Sequence, residues 1–309
     1  YLLILPDVVR MRRIAIRPLR TLGSAGPIPA RQSGAGVDFF GVREYQQGDP
    51  MRWINWRASA RHSRAIFTNE FEQERIADVG LILDARQRSE IRLGGVSLFE
   101  HAIRATAALA DVFIRDSNRV GLLVYGRGLE WTFPGYGKVQ RERILRALAR
   151  AKTGDSLVFE SMDYLPTRLF PPKSQIVLLS PLCQDDLPML TRLRSRGYQV
   201  LIITPDPVTF EARYILGHRR LEATEGSAQY DLQSRRRAER DDETQLAMRL
   251  ARIERVLLLR QLQRVGIRIV DWQVDQPLDQ TIHTALGRMP AVAPAGLRGR
   301  WIRSTGTVS

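Results

Sequence analysis

The sequence contains few of the residues that build common catalytic and metal sites. Cys183 is its one cysteine in 309 residues, which excludes an internal disulfide and favours a reducing compartment. The four histidines are scattered singly, and no Cys/His spacing is typical of a zinc site. No apolar run approaches the roughly 20 residues of a membrane-spanning helix, and no secretory signal is present. We therefore expect a chain that folds without disulfides or zinc.

Lysine is also rare, so arginine supplies nearly all of the positive charge. The net charge is +14 and the sequence pI is near 10.8, with lysine only at Lys138, Lys152 and Lys173. Arginine forms forked pairs with carboxylates and phosphates, so a basic chain can meet nucleic acid, anionic lipid or an acidic protein surface. The other interpretation is a biased base composition of the gene, which replaces lysine by arginine on solvated faces. The charge leaves both interpretations open.

The chain starts at Tyr1 without an initiator methionine, and an arginine-rich stretch from Arg10 to Arg20 follows. We expect that it begins partway through a longer protein, with any membrane segment upstream of Tyr1. The expected location is the cytoplasm, at the cytoplasmic face of the inner membrane if such a segment exists.

Short apolar runs alternate with helix-like segments along most of the chain. Strands are predicted at 79–84, 119–125, 175–180, 199–204 and 267–272, with a hairpin partner at 129–133. Helices are predicted at 98–115, 139–152, 185–196, 244–265 and 278–286, the first of them capped by Ser97 and the fourth carrying arginines on a solvated face. This alternation predicts an α/β fold with a mostly parallel sheet and helices on both faces.

We divide the chain into three parts. Residues 1–75 form an irregular N-terminal extension that contains some β-structure, residues 76–289 form the α/β domain, and residues 290–309 form a disordered tail. Within the extension we predict a short strand at 39–45, a turn at Gly48-Asp49-Pro50, and an extended or partly helical stretch at 67–74.

A dense cluster between Gly36 and Arg61 interleaves aromatic rings with arginines and carboxylates. Arginine, tryptophan and tyrosine dominate binding hot spots, so this cluster is the candidate partner-binding site. Its candidate residues are Arg43, Glu44, Tyr45, Gly48, Asp49, Arg52, Trp53, Asn55, Trp56, Arg57 and Arg61. The other interpretation is that ion pairs and cation–π contacts fix an irregular segment on the domain. Both interpretations can hold together, because ordered loops carry function on rigid scaffolds.

This cluster resembles the signature of the domain of unknown function 58 family. The matching groups are Gly36-Val37-Asp38-Phe39, Arg43-Glu44-Tyr45, Gly48-Asp49, Arg52-Trp53-Ile54-Asn55-Trp56 and Ala60-Arg61. The resemblance implies a von Willebrand factor A-like domain after the signature. It also implies a protein partner, a MoxR-type AAA+ ATPase, and membrane helices upstream of the stretch that begins here.

The resemblance breaks down at the metal motif of von Willebrand A domains. Asp84 ends the first predicted strand where such domains begin an Asp-x-Ser-x-Ser pattern, but Arg86 and Arg88 occupy the two serine positions. A guanidinium donates hydrogen bonds only and cannot ligate a cation. Ser180, after the third strand, stands where an acidic ligand is often found. We therefore expect a degenerate site, without a metal, in which Asp84 pairs with Arg86, Arg88 or a helix N-terminus.

These observations favour a non-catalytic adaptor over an enzyme. No paired carboxylates or activated nucleophile share a predicted loop, and no cofactor motif is present. The adaptor would work with the MoxR-type ATPase in assembly or maturation of a protein complex or of the cell envelope. The alternative is a basic surface that binds anionic lipid or nucleic acid, although no helix-turn-helix, zinc-finger or RNA-recognition pattern supports nucleic acid.

Overall fold

The computed structural model describes residues 3–14, 21–22, 28–61, 65–154, 156, 159–213 and 232–288. The predicted disordered tail at 290–309 lies outside the described residues. The strands are β1 Thr21–Leu22, β2 Ile28–Glu44, β3 Phe67–Ala85, β4 Arg92–Leu93, β5 Val96–Ser97, β6 Arg119–Gly126, β7 Leu129–Gly135, β8 Gln175–Leu179, β9 Gln199–Pro205 and β10 Arg268–Trp272. The α-helices include α1 Trp56–Ser59, α2 Leu98–Arg115, α3 Gly137–Arg150, α4 Leu187–Ser195, α5 Leu232–Arg264 and α6 Leu278–Arg288.

The central sheet has the strand order β10-β9-β8-β3-β6-β7. Five of these strands are parallel neighbours, and β7 closes one edge as the antiparallel hairpin partner of β6. The first strand of the domain, β3, therefore lies inside the sheet, and the chain adds strands first on one side of it and then on the other. This is the von Willebrand factor A-like α/β fold, and it confirms the prediction.

In the part of β3 that lies within the parallel sheet, alternate side chains pack into the two cores on opposite faces. This packing explains why that part of the strand is an apolar run. Leu81 and Leu83 pack with Phe113 of α2 on one face, and Ile82 packs with Leu190 of α4 on the other. All of these side chains are buried. Parallel strands covered on both faces carry continuous apolar runs rather than alternating ones.

β3 is longer than predicted and joins the extension to the domain without a break. Its first part pairs antiparallel with β2, with Glu44 opposite Phe67, and its second part pairs with β6 and β8 from Asp78 onward. The predicted division at residue 75 lies within this strand. The predicted strand at 39–45 is the end of a longer strand with several register shifts, and residues 67–74 are extended without helix. The pairing is non-local, so the local pattern of either segment does not show it.

The helices begin and end for local reasons that the sequence predicts in part. Ser97 caps α2, its Oγ accepting hydrogen bonds from the backbone N–H groups of Phe99 and Glu100. Gly266, with a φ of +84°, follows the end of α5. α5 starts earlier than the predicted residue 244, because the charged stretch before it consists largely of good helix formers.

The segment 3–14 packs on the domain. Met11 and Ile14 are buried beside α2, and Arg12 Nε donates to Asp279 Oδ2 of α6 at 2.7 Å. Among the helices that the structure describes, none combines the length and the apolar composition that crossing a bilayer requires.

Candidate functional site

Two candidate regions lie at opposite ends of β3. We call the first the ribbon tip, residues 42–61 and 65–70, where β2 and β3 meet the segment between them. Within the described chain, the part of β3 before Asp78 pairs with β1 and β2 and, through a bridge from Thr68, with Ile54, but with no strand of the parallel sheet. At ~3.3 Å per residue, the stretch from Phe67 to Ala77 spans roughly 33 Å, so the ribbon tip lies far from the parallel sheet.

Arg43 is the centre of the ribbon tip's polar network. Its Nη1 and Nη2 donate to the two oxygens of Asp49 at 2.7 Å each, and its Nε donates to Glu70 Oε1 at 2.8 Å. The backbone N–H of Gln46 also donates to Asp49. The hydrogen bond from Arg43, followed by that from Gln46, holds the pKa of Asp49 below its ordinary value. The hydrogen bond to Asp49 likewise raises the pKa of Arg43. The hydrogen bonds of the Arg43 guanidinium therefore link β2, the turn that contains Asp49, and β3.

A second set of hydrogen bonds holds the loop that contains α1. Asn55 Oδ1 caps the helix by accepting from the Ala58 N–H at 2.8 Å, and Asn55 Nδ2 donates to Asn69 Oδ1 at 2.7 Å. Ser59 Oγ accepts from the Phe67 N–H at 2.8 Å, and Thr68 Oγ1 donates to a loop carbonyl. Contacts in both directions therefore brace the loop against β3: Asn69 accepts from the Asn55 side chain, Thr68 donates to the Trp53 carbonyl, and Ser59 of the loop accepts from the backbone of β3.

Several apolar side chains of the ribbon tip are exposed, whereas Ile54 is buried. Met51 is 72% exposed, Trp56 is 67% exposed and Ile66 is 50% exposed. Beside them, the Arg52 guanidinium lies 5.7 Å from the centre of the Trp53 ring, within cation–π range. The ribbon tip thus uses Arg43, Asp49 and Asn55 to fix its own conformation and presents both apolar and basic side chains to solvent.

The predicted partner-binding residues therefore separate into two groups. Those with internal bonds or partial burial are Arg43, Tyr45, Asp49, Trp53 and Asn55, and those exposed are Glu44, Gly48, Arg52, Trp56, Arg57 and Arg61. The sequence interpretation missed Met51 and Ile66 on the exposed side, and Thr68, Asn69 and Glu70 among the bracing residues. No sequence signal marks Met51 or Ile66, because exposure of an apolar side chain depends on pairing far along the chain.

We call the second region the carboxyl-edge cluster, which consists of Asp84, Arg86, Ser180 and Asp186. It lies where β3 and β8 end. Arg86 Nε and Nη2 donate to the two oxygens of Asp84 at 2.8 and 2.7 Å, and its Nη1 and Nη2 donate to Asp186 at 2.8 and 3.0 Å. The Arg86 side chain is 4% exposed and both carboxylates are 0% exposed. This outcome agrees with the prediction that Asp84 pairs with a neighbouring arginine.

All hydrogen-bonding groups of this cluster have protein partners. The remaining N–H of Arg86 donates to the Glu160 carbonyl at 3.1 Å, so all five guanidinium donors are used. Ser180 Oγ donates to Asp84 Oδ2 at 2.6 Å, and the Cys183 N–H donates to Asp186 Oδ2. Burial alone would lower the pKa of Arg86, but its bonds to the two carboxylates outweigh burial and raise the pKa above the ordinary value. The guanidinium is therefore a permanent cation.

The cluster has oxygen atoms of the kind that form a cation site, but the cation that its carboxylates bind is the guanidinium of Arg86. The oxygens of Asp84, Asp186 and Ser180 are hard ligands of the kind that Mg²⁺ prefers. They already surround the Arg86 guanidinium, and Arg88 follows within two residues. A divalent ion would have to displace a buried cation from two ion pairs, so the residues present do not fit a metal. The absence of a bound metal stays a prediction that this chemistry supports.

Neighbouring groups are not activated for catalysis. Burial, followed by the negative charge of Asp186, raises the pKa of the Cys183 thiol, which contacts the Arg88 guanidinium. Burial also raises the pKa of Tyr125 to about 12, and its hydroxyl donates to the Ser161 carbonyl at 2.5 Å. A thiol with a raised pKa is a poor nucleophile.

A second buried arginine closes the other side of the carboxyl edge. Arg255 of α5 has a side chain that is 10% exposed, with Nη2 2.6 Å from Asp271 and Nε 3.5 Å from Asp206. Its Nη groups also donate to the Pro181 and Thr204 carbonyls. The prediction of a wholly solvated basic face on this helix is wrong at Arg255, because the inner face of α5 lies over the ends of β9 and β10. Periodicity places this arginine near the inner face but does not supply its partners.

The chain is similar to a curated relative and to several solved structures. Over 168 residues the chain is 27% identical to the uncharacterized protein YeaD of Bacillus subtilis (strain 168), covering 53% of this chain and 39% of that protein. The chain thus spans less than half the length of this relative.

The structural neighbours are partial matches. A crystal structure of manganese-loaded Plasmodium vivax TRAP protein aligns over 42% of this chain and 57% of its own, with 14% identity and a TM-score of 0.29. A crystal structure of an uncharacterized membrane spanning protein from Vibrio fischeri aligns over 41% and 69%, with 17% identity and a TM-score of 0.24. The fold assignment depends on the strand order described above and not on these alignments.

The family comparison covers both candidate regions. The sequence model of the family described as "Protein of unknown function DUF58" matches residues 41–250, which include the whole ribbon tip and the whole carboxyl-edge cluster. Because this match extends over more than half of the sequence, the chain belongs to the DUF58 family.

Proposed function

We propose that this protein is a non-catalytic interaction module that binds a protein partner through its ribbon tip. One observation carries the proposal: Met51, Trp56 and Ile66 are exposed at a ribbon tip that is held in place by the hydrogen bonds of Arg43 and Asn55. Exposed aromatic residues held in a fixed position are typical of binding hot spots. Because the network around Arg43 orders the loop before binding, less conformational entropy is lost on association.

The partner that we propose is a MoxR-type AAA+ ATPase. This class comes from the family resemblance and not from the geometry of the ribbon tip. The exposed Arg52, Arg57 and Arg61 around Trp56 favour a partner surface with an apolar pocket rimmed by carboxylates. The process, assembly or maturation of a protein complex or of the cell envelope at the cytoplasmic face of a membrane, belongs to the same proposal.

The test is a binding measurement between this chain and the MoxR-type ATPase encoded nearest to its gene, with ATP, with ADP and with neither. We expect nucleotide-dependent binding that Trp56→Ala weakens by about 30-fold, the effect of losing a hot spot of ~2 kcal/mol. Met51→Ala should weaken it in the same direction. Phe133→Ala on β7 is the matched control, since Phe133 is 74% exposed and lies on the domain rather than on the ribbon.

Each outcome has a distinct meaning. If Trp56→Ala and Phe133→Ala weaken binding equally, or if neither does, the ribbon tip is not the docking site. If no ATPase binds in any nucleotide state while the chain binds anionic vesicles or DNA with a steep salt dependence, the basic-surface alternative replaces the adaptor proposal. Unchanged melting temperatures of both variants show that the fold is intact.

A further inference from the structure

α5 carries apolar residues on two opposite faces. Its inner face, with Leu258, Leu259 and Leu262, is buried against the domain. Its outer face carries four large exposed side chains: Leu246 at 58%, Leu250 at 53%, Ile253 at 56% and Leu257 at 49%. At about 100° per residue these four lie within an arc of about 60°, on the side of the helix opposite to Leu262. A helix that only covers one domain needs the inner face alone.

The spacing of the outer residues is that of a coiled-coil seam. Leu246, Leu250, Ile253 and Leu257 are separated by four, three and four positions, which places Leu250 and Leu257 at a positions and Leu246 and Ile253 at d positions of a heptad. Residues at a and d interlock with those of a second helix. The stripe is narrower than the broad apolar face of a helix that lies on a membrane. A partner helix therefore fits the stripe better than a lipid surface does.

The charges beside this seam favour a second copy of the same helix in parallel orientation. In this heptad Arg249 is at position g and Glu254 is at position e of the following heptad. In a parallel pair, g of one helix faces e of the next heptad in its partner, so each Arg249 meets the partner's Glu254. In an antiparallel pair with the four seam residues in register, g faces g and e faces e, so Arg249 would face Val256 and Glu254 would face Ala247, and neither charge would have a partner. The complementarity therefore favours the parallel arrangement.

We propose that two copies of this chain associate through α5 as a short parallel coiled coil with Leu246, Leu250, Ile253 and Leu257 in its seam. Glu243 and Arg260 occupy the next seam positions on either side, so the apolar seam is limited to two heptads. An interface this short buries less than the ~800 Å² per partner of a standard stable complex. The dimer is therefore reversible and depends on protein concentration.

The first test is sedimentation velocity of the whole chain over a range of concentrations. We expect a monomer–dimer equilibrium that Leu250→Asp abolishes, with no change in circular dichroism because Leu250 is half exposed in the monomer. Arg249→Glu and Glu254→Arg should each weaken the dimer by about tenfold, since two attractive pairs become repulsive. Arg252→Glu is the matched control, with the same charge change on the same helix but outside the seam, and should leave the equilibrium unchanged.

Mixing the variants tests the arrangement itself. An equimolar mixture of Arg249→Glu and Glu254→Arg chains should form dimers as tightly as the native chain, because every pair is again attractive. In a Cys183→Ser background, Leu250→Cys should form a disulfide-linked dimer under oxidation, since equal a positions face each other only in a parallel pair. The proposal is overturned if a cysteine at position 250, and a cysteine at each of the other seam positions, all fail to form a disulfide-linked dimer efficiently.

A chain that remains monomeric up to ~100 µM overturns the proposal as well, because even a weak interface of this type is populated there. The stripe would then be covered by residues 214–231 or 289–309 of the same chain, by a helix of another protein, or by lipid. Vesicles with and without anionic lipid separate the last case from the others. None of these outcomes bears on the ribbon tip, so failure here and failure of the proposed function are independent.

Discussion

Removal of the Arg86 guanidinium is the most direct perturbation of the carboxyl-edge cluster. In an Arg86→Ala variant, Asp84 and Asp186 stay buried but lose four charged hydrogen bonds between them. Breaking a buried ion pair from one side costs about 3–5 kcal/mol, because a carboxylate is left without its counter-charge. Because the total free energy of unfolding of a protein is typically about 5–15 kcal/mol, the variant should still fold but should be much less stable than the native protein.

The assay is urea unfolding followed by circular dichroism, with Arg146→Ala as the matched control. The Arg146→Ala variant also loses an ion pair, the one with Glu142. Both side chains of that pair are more than half exposed, so its loss should cost less than ~1 kcal/mol. A triple variant, Arg86→Met with Asp84→Asn and Asp186→Asn, removes the charges together. It should recover much of the lost stability, because no buried carboxylate remains.

Two results would refute this reasoning. One is an Arg86→Ala variant that is no less stable than Arg146→Ala, which would mean that the guanidinium is not the counter-charge of the cluster. The other is a triple variant that is as unstable as the single one, which would mean that packing of the arginine side chain, rather than its charge, stabilises the carboxyl edge.

Three further predictions concern the other arginine contacts. Because the pKa of Asp49 is lowered in the folded protein, the contribution of the ionised carboxylate to stability is complete above its ordinary value of 3.8 and is lost as the pH falls through the lowered pKa. The Gln46 amide, which donates to Asp49, should lose its protection from hydrogen exchange in that range. A protection that does not change with pH and equals that of Asp49→Asn would contradict this prediction. Arg255→Met should increase hydrogen exchange in α5 while the central strands stay protected, and uniform exchange throughout would show that the arginine does not hold the helix. Arg86→Ser with Arg88→Ser should gain a rise in melting temperature with Mg²⁺ that the native protein lacks, whereas no response in either would show that the cluster's oxygens are not arranged for a cation.

The sequence predicts the α/β domain well because its strands are decided locally. The runs at 119–125, 175–180 and 199–204 have continuous apolar centres, which is typical of strands buried on both faces, and each appears within a residue or two of its predicted position. The cap at Ser97 is likewise a contact within three residues. Such features depend on neighbours in the chain, so the pattern of residues is sufficient.

The features that the sequence does not reveal depend on residues far apart in the chain. Arg86 and Asp186 are 100 positions apart, and no local pattern predicts that they pair. The pairing of Asp84 with Arg86 is predictable, because these two residues are close in the sequence. β2 and β3 are edge partners whose match is irregular, with several register shifts, so neither strand carries a clear period of two. The exposure of Met51 is a consequence of that pairing and is therefore equally hidden.

The contrast between the two ends of β3 supports the proposal that a partner binds at the ribbon tip rather than at the carboxyl edge of the sheet. Open α/β sheets bind ligands beyond the carboxyl ends of their strands. Here Arg86 and Arg255 fill that edge and have their charges compensated within the chain, so a partner would gain little there. At the ribbon tip the charge of Arg43 is compensated by Asp49 and Glu70, but Trp56 is exposed, and covering apolar surface is worth roughly 25 cal/mol per Å². Substitution of Trp56 should therefore reduce partner binding and leave stability unchanged, whereas substitution of Arg86 should reduce stability and affect binding only through the folded fraction. If a destabilised but still folded Arg86 variant loses binding while the Trp56 variant keeps it, the carboxyl edge is the docking site after all.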